Sequence, residues 1–137
     1  MIIENTNLIV NKKRGLIEKA LFSQIFKIKN EILSEKYYLS VNFISPKIAQ
    51  DLNIRYREKD YIPNILSFPL SKNEGEIYIC LSVARKEAKK FSLSYKDFIT
   101  LLIIHGCLHL KGIDHGDKMD KLENKYLNKY VLKYNNE

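Results

Sequence analysis

The sequence predicts an α/β (α+β) protein: one mixed sheet of about four strands packed with about five helices, with a candidate functional site at the end of the central buried helix. Three observations carry that expectation. Short runs that alternate apolar and polar side chains are interleaved with runs whose apolar residues recur at helical spacing. The stretch Phe98-Ile99-Thr100-Leu101-Leu102-Ile103-Ile104 is apolar on every side, which suits a helix buried all round. The protein's only three histidines, His105, His109 and His115, follow it directly.

Taken in order, Ile2 to Val10 reads as a first strand, followed by the basic turn Asn11-Lys12-Lys13-Arg14-Gly15. Lys12, Lys13 and Arg14 suit a solvated turn, with a phosphate-binding patch as the sharper alternative. The run Leu16, Lys19/Ala20, Phe22/Ser23, Phe26 and Ile28 has helical spacing up to about Asn30, and Ile17, Leu21 and Ile25 widen the stripe, as in a well-buried helix. From Tyr38 to Ile44, Leu39, Val41 and Phe43 alternate with Ser40 and Asn42, the pattern of a half-buried strand. Ser45 offers an N-cap oxygen and Pro46 a pre-set φ at the first helical position, launching a short helix through Ile48, Ala49 and Leu52 that fades near Asn53. The polar Tyr56-Arg57-Glu58-Lys59-Asp60 leads into Ile65-Leu66-Ser67-Phe68, which ends at Pro69. Proline cannot donate to a ladder, so this strand is short or lies at an edge.

After the turn Ser71-Lys72-Asn73-Glu74-Gly75, residues Glu76 to Leu81 form another strand and Ser82 to Phe91 an exposed helix. Its Arg85-Lys86-Glu87-Ala88-Lys89-Lys90 run suits a solvated face with mixed ion pairs. Ser94-Tyr95-Lys96-Asp97 is similar to a capping box and opens the central helix. Beyond the histidines, Asp117 can cap a last amphipathic helix with Met119, Leu122, Tyr126 and Tyr130 inward and Lys121, Lys125 and Lys129 toward water. The order β-α-β-α-β-β-α-α-α has no internal repeats, linkers or low-complexity tracts, and residues 1–137 are expected to form a single domain.

His105 and His109 are separated by about 40° around a helix and roughly 6 Å along it, so both rings leave the same face and can share one ion. Gly112 offers the positive φ of a left-handed helix cap, after which the chain can turn back and deliver His115 to the same point. Three imidazoles suit Zn²⁺, one per chain, and leave a fourth position open for water, as a catalytic rather than a closed structural site requires. The blander reading makes them ordinary residues near a helix end, His109 a satisfied core histidine and His115 a helix-start residue. Cys107 lies two residues from each helical histidine and points away from the ligand face, so it and Cys80 are expected to be packing residues in a reducing compartment.

The length suffices to bury most apolar surface without disulfides. There is no basic segment followed by an apolar one at the N-terminus and no run of 18 apolar residues, which leads to the expectation of a soluble, cytoplasmic protein with no membrane partner. The net charge of +7 favours an anionic partner, most commonly nucleic acid, although the abundance of Lys, Ile and Asn is also what a compositionally biased genome produces.

The stretch His105-Gly106-Cys107-Leu108-His109-Leu110-Lys111-Gly112-Ile113-Asp114-His115 resembles the pattern H-G-x-L-H-L-x-G-Y-D-H of the YbeY endoribonucleases, the bacterial ribosomal-RNA maturation factors; only Ile113 departs from it. Leu52-Asn53 and Tyr56-Arg57-Glu58-Lys59-Asp60 through Leu66-Ser67-Phe68-Pro69 resemble a second block, L-N-x-x-Y-R-x-K-D-x-x-T-x-V-L-S-F-P, with Pro63 and Ile65 replacing Thr and Val. Gly75-Glu76-Ile77 is similar to a third, where the family more often has Gly-Asp-Ile or Gly-Asp-Val. The resemblance implies a single-domain metalloprotein with zinc on His105, His109 and His115. It further implies a single-strand-specific endoribonuclease, a monomer acting on ribosomal RNA and the small ribosomal subunit in maturation, assembly or quality control. Losing the Tyr hydroxyl at Ile113 removes a potential loop contact, and Glu76 keeps its charge one methylene further out.

Arg57 and His115 are the residues assigned to catalysis. Arg57 is the phosphate clamp, because its planar fork can hold two phosphate oxygens at once; without the resemblance a surface ion pair with Asp60 is the simpler reading. Asp114 is expected to orient a ligand as an acceptor for an imidazole N–H, and Ser67 either lines the groove or is a plain strand residue. Gly106 stands where the peptidase signature H-E-x-x-H has its general base. It either leaves room for a bulky substrate or permits close helix packing. A zinc hydrolase of another class, peptidase-like, and a ribosome-assembly factor with a structural metal are the alternatives.

Overall fold

The computed structural model describes residues 1–131 apart from Thr6, Arg14 and Leu16, so the expectations placed on Arg14 and Leu16 lie outside the described residues. The elements are β1 (Ile2–Asn5), β2 (Leu8–Lys12), α1 (Lys19–Ile32), β3 (Tyr38–Ile44), α2 (Pro46–Arg57), β4 (Ile65–Ser71), β5 (Glu74–Cys80), α3 (Leu81–Lys90), α4 (Tyr95–Leu110) and α5 (Asp117–Tyr130). The strands form one mixed sheet in the order β1-β2-β3-β5-β4. β2, β3 and β5 run parallel, and the two outer strands are antiparallel to their neighbours. The α/β class and the five helices match expectation. The sheet has five strands rather than about four because the run from Ile2 to Val10 is not one strand but a hairpin, with Ile3 opposite Val10 and Glu4 opposite Ile9.

The parallel centre is where the apolar alternation is strongest. Val10, Val41 and Ile77 stand side by side in register, and all three are fully buried. On that face α4 packs against α1, α3 and α5 and against β4 and β5. Its Phe98, Ile99, Leu102, Ile103, Ile104, Cys107 and Leu108 are buried, as a helix apolar all round must be. No single helix among the described residues is long and apolar enough to cross a membrane.

Several boundaries differ from the sequence reading. β5 starts at Glu74, inside the expected turn, because Tyr38 and Leu39 pair with Glu74 and Gly75, and it ends at Cys80, so α3 begins one residue early, at Leu81, and ends at Lys90. α1 begins at Lys19 and runs on to Ile32, burying Ile25, Ile28, Lys29 and Ile32. α2 does not fade near Asn53 but continues to Arg57, because Asn53 is itself buried and Glu58 closes the helix in the left-handed region at φ 57°. β4 passes through Pro69 to Ser71 with an irregularity at that point, which an edge strand tolerates. α5 is preceded by Gly116, at φ 138°, and Asp117 is its first residue rather than its cap. The caps at Ser45 and Ser94 form as the residue types require: Ser45 Oγ accepts from the Ile48 N–H at 3.3 Å and Ser94 Oγ from the Asp97 N–H at 3.1 Å.

Candidate metal centre and cleft

The C-terminal end of α4 closes in a Schellman turn. The Ile113 N–H bonds to the Leu108 carbonyl at 3.0 Å, the Gly112 N–H bonds to the His109 carbonyl at 2.9 Å, and Gly112 takes φ 101°. That reversal brings His115 back over the helix. The ligand-capable atoms of His105, His109 and His115 lie within 4.8 Å of one another, with the two helical histidines half-buried and His115 exposed. Ile113 packs its side chain against the core, so the position where the resembled pattern has Tyr serves here through its backbone and an apolar contact.

The His105 ring is not free to turn. His105 Nδ1 meets the Glu123 carboxylate of α5; a carboxylate only accepts, so Nδ1 carries the proton and Nε2 presents its lone pair to the site. His109 Nε2 stands 3.0 Å from His105 Nε2. Two imidazole nitrogens sharing one tetrahedral ion at about 2.0–2.1 Å stand roughly 3.3 Å apart, so this pair already has near-ligand spacing. Burial pushes the His109 pKa down, reinforced by His105 and His115, while Asp114 and Glu123 pull the other way. His109 therefore favours the neutral form that a metal needs. The donor set fits a divalent metal.

Asp114 hydrogen-bonds none of the three histidines; the carboxylate that orients a ligand is Glu123, whose approach depends on how α5 docks on α4 and leaves no trace in sequence spacing. Cys107 is fully buried behind the ligand face and its thiol is pushed up to about 12, so it is a packing residue. Gly106 is buried too. A Cβ there would stand 2.8 Å from Ile77 Cδ1 and 3.1 Å from both Ile65 Cδ1 and Ser67 Oγ, so its role is close packing of α4 on β4 and β5, not room for substrate.

β4 is one edge of the sheet, and its Ile65, Leu66, Ser67 and Phe68 line a cleft of about 600 Å³. α4 brings His105 and His109, and the loop after it brings His115. The C-terminal end of α2 and the segment after it bring Tyr56, Arg57 and Tyr61, and Ser67 and Phe68 lie between. Arg57 thus lines the same cleft as the histidines, and it makes no ion pair with Asp60. Its Nη1 instead donates to Asn53 Oδ1 at 3.2 Å and to the Tyr61 hydroxyl at 3.1 Å. Asn53 is fully buried and also donates from Nδ2 to the Tyr61 carbonyl at 3.0 Å, so one amide braces both the arginine and the loop beside it. With Nη1 spent, the Nε–Nη2 edge of the guanidinium has no hydrogen-bond partner among the described residues; that edge is the fork that matches two phosphate oxygens. Sequence reasoning found Arg57 but missed its two braces; Asn53 lay inside a recognised motif and Tyr61 carried no signal.

Comparison with known proteins follows the same lines. A family model described as Endoribonuclease YbeY matches residues 4–135. The endoribonuclease YbeY of Ureaplasma parvum serovar 3 is 33% identical over 120 residues, covering 79% of this chain and 77% of that protein. That of Staphylococcus aureus strain JH9 is 32% identical over 128 residues, covering 80% and 83%. The solution structure of TM1509 from Thermotoga maritima superposes with a TM-score of 0.63 at 23% identity, over 93% of this chain and 92% of that one, and shares the fold.

Proposed function

This chain belongs to the endoribonuclease YbeY family, and on that premise we propose that it is a zinc-dependent endoribonuclease cutting single-stranded RNA during ribosomal-RNA maturation. The observation that carries the reading is the placement of the free Arg57 fork and the three-histidine cluster in one cleft. A phosphodiester is the substrate group that such a pair recognises: Arg57 takes two non-bridging oxygens side-on, and the scissile phosphorus is thereby presented toward the histidines. Glu123 keeps the His105 Nε2 aimed inward, and burial lowers the His109 pKa, which favours the neutral ring. His105, His109 and His115 would hold the zinc, which when bound would supply a Lewis acid for water and for a phosphoryl oxygen.

The net charge of +7 adds a general attraction for polyanions. The proposal extends to work beside the small ribosomal subunit in the cytoplasm, as a monomeric single domain. A peptidase reading finds no support at Gly106, which stands at the position of the H-E-x-x-H base and is packed against Ile77. The test is cleavage of a ribosomal-RNA fragment by the zinc-loaded protein, single-stranded beside the same strand in a duplex, at two salt concentrations. Cutting of the single strand that exceeds cutting of the duplex and weakens steeply with salt is expected. Equal cutting of both forms removes the single-strand assignment, and no cutting of either removes the nuclease.

A further inference from the structure

Three aromatic rings line the cleft beside Arg57, and the chemistry assigned so far uses only one hydroxyl among them. Tyr56 precedes Arg57 on α2 and is 61% exposed; its ring centroid lies 5.4 Å from that of Phe68 on β4, with the planes tilted at 60°. Phe68 in turn meets Tyr78 edge-on at 5.9 Å, and the Tyr78 hydroxyl is fixed by donating to Glu76 at 3.1 Å. The row Tyr56-Phe68-Tyr78 thus runs from solvent into the sheet, anchored at its inner end. Phe68 meets Tyr56 at an angle, and Tyr56 stays more than half exposed despite the contact. The Tyr56 hydroxyl makes no hydrogen bond among the described residues, so nothing polar accounts for holding this side chain at the mouth of the cleft. Tyr61, whose hydroxyl accepts from Arg57, is 51% exposed.

We propose that the exposed ring of Tyr56, backed by Phe68, is a stacking platform for an unpaired base next to the phosphate held by Arg57, and that this platform selects single strands. The inference rests on the nuclease reading of the cleft. Every base has a π-face, so an aromatic platform tolerates any sequence, and the adjacent guanidinium supplies the phosphate contact that single-strand binders place beside such rings. A base inside a duplex is already stacked on its neighbours and cannot reach the ring without being unpaired first. Tyr56 sits immediately before Arg57 in the chain, so base and phosphate contacts are set by one helical turn and cannot drift apart.

The experiment measures binding and cleavage separately on the zinc-loaded full chain, with two RNAs: a single-stranded ribosomal-RNA fragment, and the same fragment with one abasic nucleotide stepped across the cleavage site. Tyr56→Ala is expected to weaken binding of the intact fragment roughly 10- to 100-fold, raising KM with little change in kcat, while Tyr56→Phe binds as the wild type does. One abasic position should weaken wild-type binding by a similar factor and leave Tyr56→Ala unaffected, and the preference for single strand over duplex should narrow in Tyr56→Ala. Binding of the intact fragment by Tyr56→Ala at wild-type strength overturns the platform, as does an abasic penalty of the same size in both proteins. Wild-type protein that binds with the full abasic signature yet cuts no RNA leaves the platform standing and removes the nuclease reading, so the two failures are distinguishable.

Discussion

Glu123 and His105 are 18 residues apart in the chain, on different helices, and are joined by a hydrogen bond from the imidazole Nδ1 to the carboxylate. The bond fixes the rotation of a ring whose Nε2 faces the histidine cluster that could hold a metal, so the cluster is built by the docking of α5 on α4 as much as by the histidine spacing.

Removing that carboxylate should therefore loosen the metal without emptying the fold. Glu123→Ala is expected to lower zinc affinity about 10- to 100-fold, Glu123→Gln to lose less because an amide oxygen still accepts, and Asp114→Asn to change little. Competition with a chromogenic chelator reads all three; an affinity loss confined to Asp114→Asn would reverse the assignment.

Gly106→Ala puts a methyl where Ile77 Cδ1 stands 2.8 Å away. Helix propensity favours alanine by up to about 1 kcal/mol, but overpacking a full core typically costs about 1–3 kcal/mol. A net drop in the urea midpoint is expected, with reduced zinc retention because α4 carries both His105 and His109. A variant more stable than the wild type would show that the interface between α4 and the sheet has slack.

Lys29 is fully buried in α1, where its Nζ donates to the Glu35 carbonyl and to Asn30 Oδ1, each at 3.1 Å. Burial lowers its pKa from the usual 10.5, with Cys107 and Glu35 pulling it partly back. The unfolded chain therefore binds more protons between the depressed pKa and 10.5, wild-type stability rises with pH through that window, and the full burden of the buried charge is present at neutral pH. Lys29→Met should raise stability by about 1 kcal/mol at pH 7, since the Glu35 carbonyl still receives Asn7 Nδ2 at 2.6 Å. The gain should shrink as the pH climbs toward 10.5. Lys29→Ala should instead destabilise by about 2 kcal/mol or more through the cavity. Melting curves across that range decide it, and a Met variant less stable at pH 7 than at pH 10, relative to wild type, has the wrong sign.

Arg57 and the histidines should fail differently. Arg57→Ala is expected to keep zinc content and melting temperature while slowing single-turnover cleavage roughly 10²- to 10³-fold, and Arg57→Lys to recover part of that as a point charge without the fork. Loss of zinc in Arg57→Ala would make the residue structural.

The histidine cluster was legible because helix geometry alone places positions four apart on one face and a glycine can turn the chain back; both are local. Arg57 was legible through motif resemblance, yet its partner was not. The short sequence distance to Asp60 suggested an ion pair, whereas burial of Asn53 and the left-handed turn at Glu58 direct the guanidinium to Asn53 and Tyr61 instead. Asp114 and Glu123 repeat the lesson: nearness in sequence pointed to the former, and packing of α5 on α4 supplied the latter. The hairpin at Ile2–Lys12 was read as one strand because its arms are short apolar runs, Ile2-Ile3 and Leu8-Ile9-Val10, and it is the antiparallel pairing of Ile3 with Val10 and Glu4 with Ile9 that separates them.

Zinc added back to chelated protein, with cleavage of a single-stranded ribosomal-RNA fragment followed at each addition, bears most directly on the triad as the seat of the chemistry. Cleavage is expected to be absent without metal, to rise to a plateau at one zinc per chain, and to stay absent at every addition in His109→Ala. Undiminished cleavage by the chelated protein, or full cleavage by His109→Ala, would contradict it.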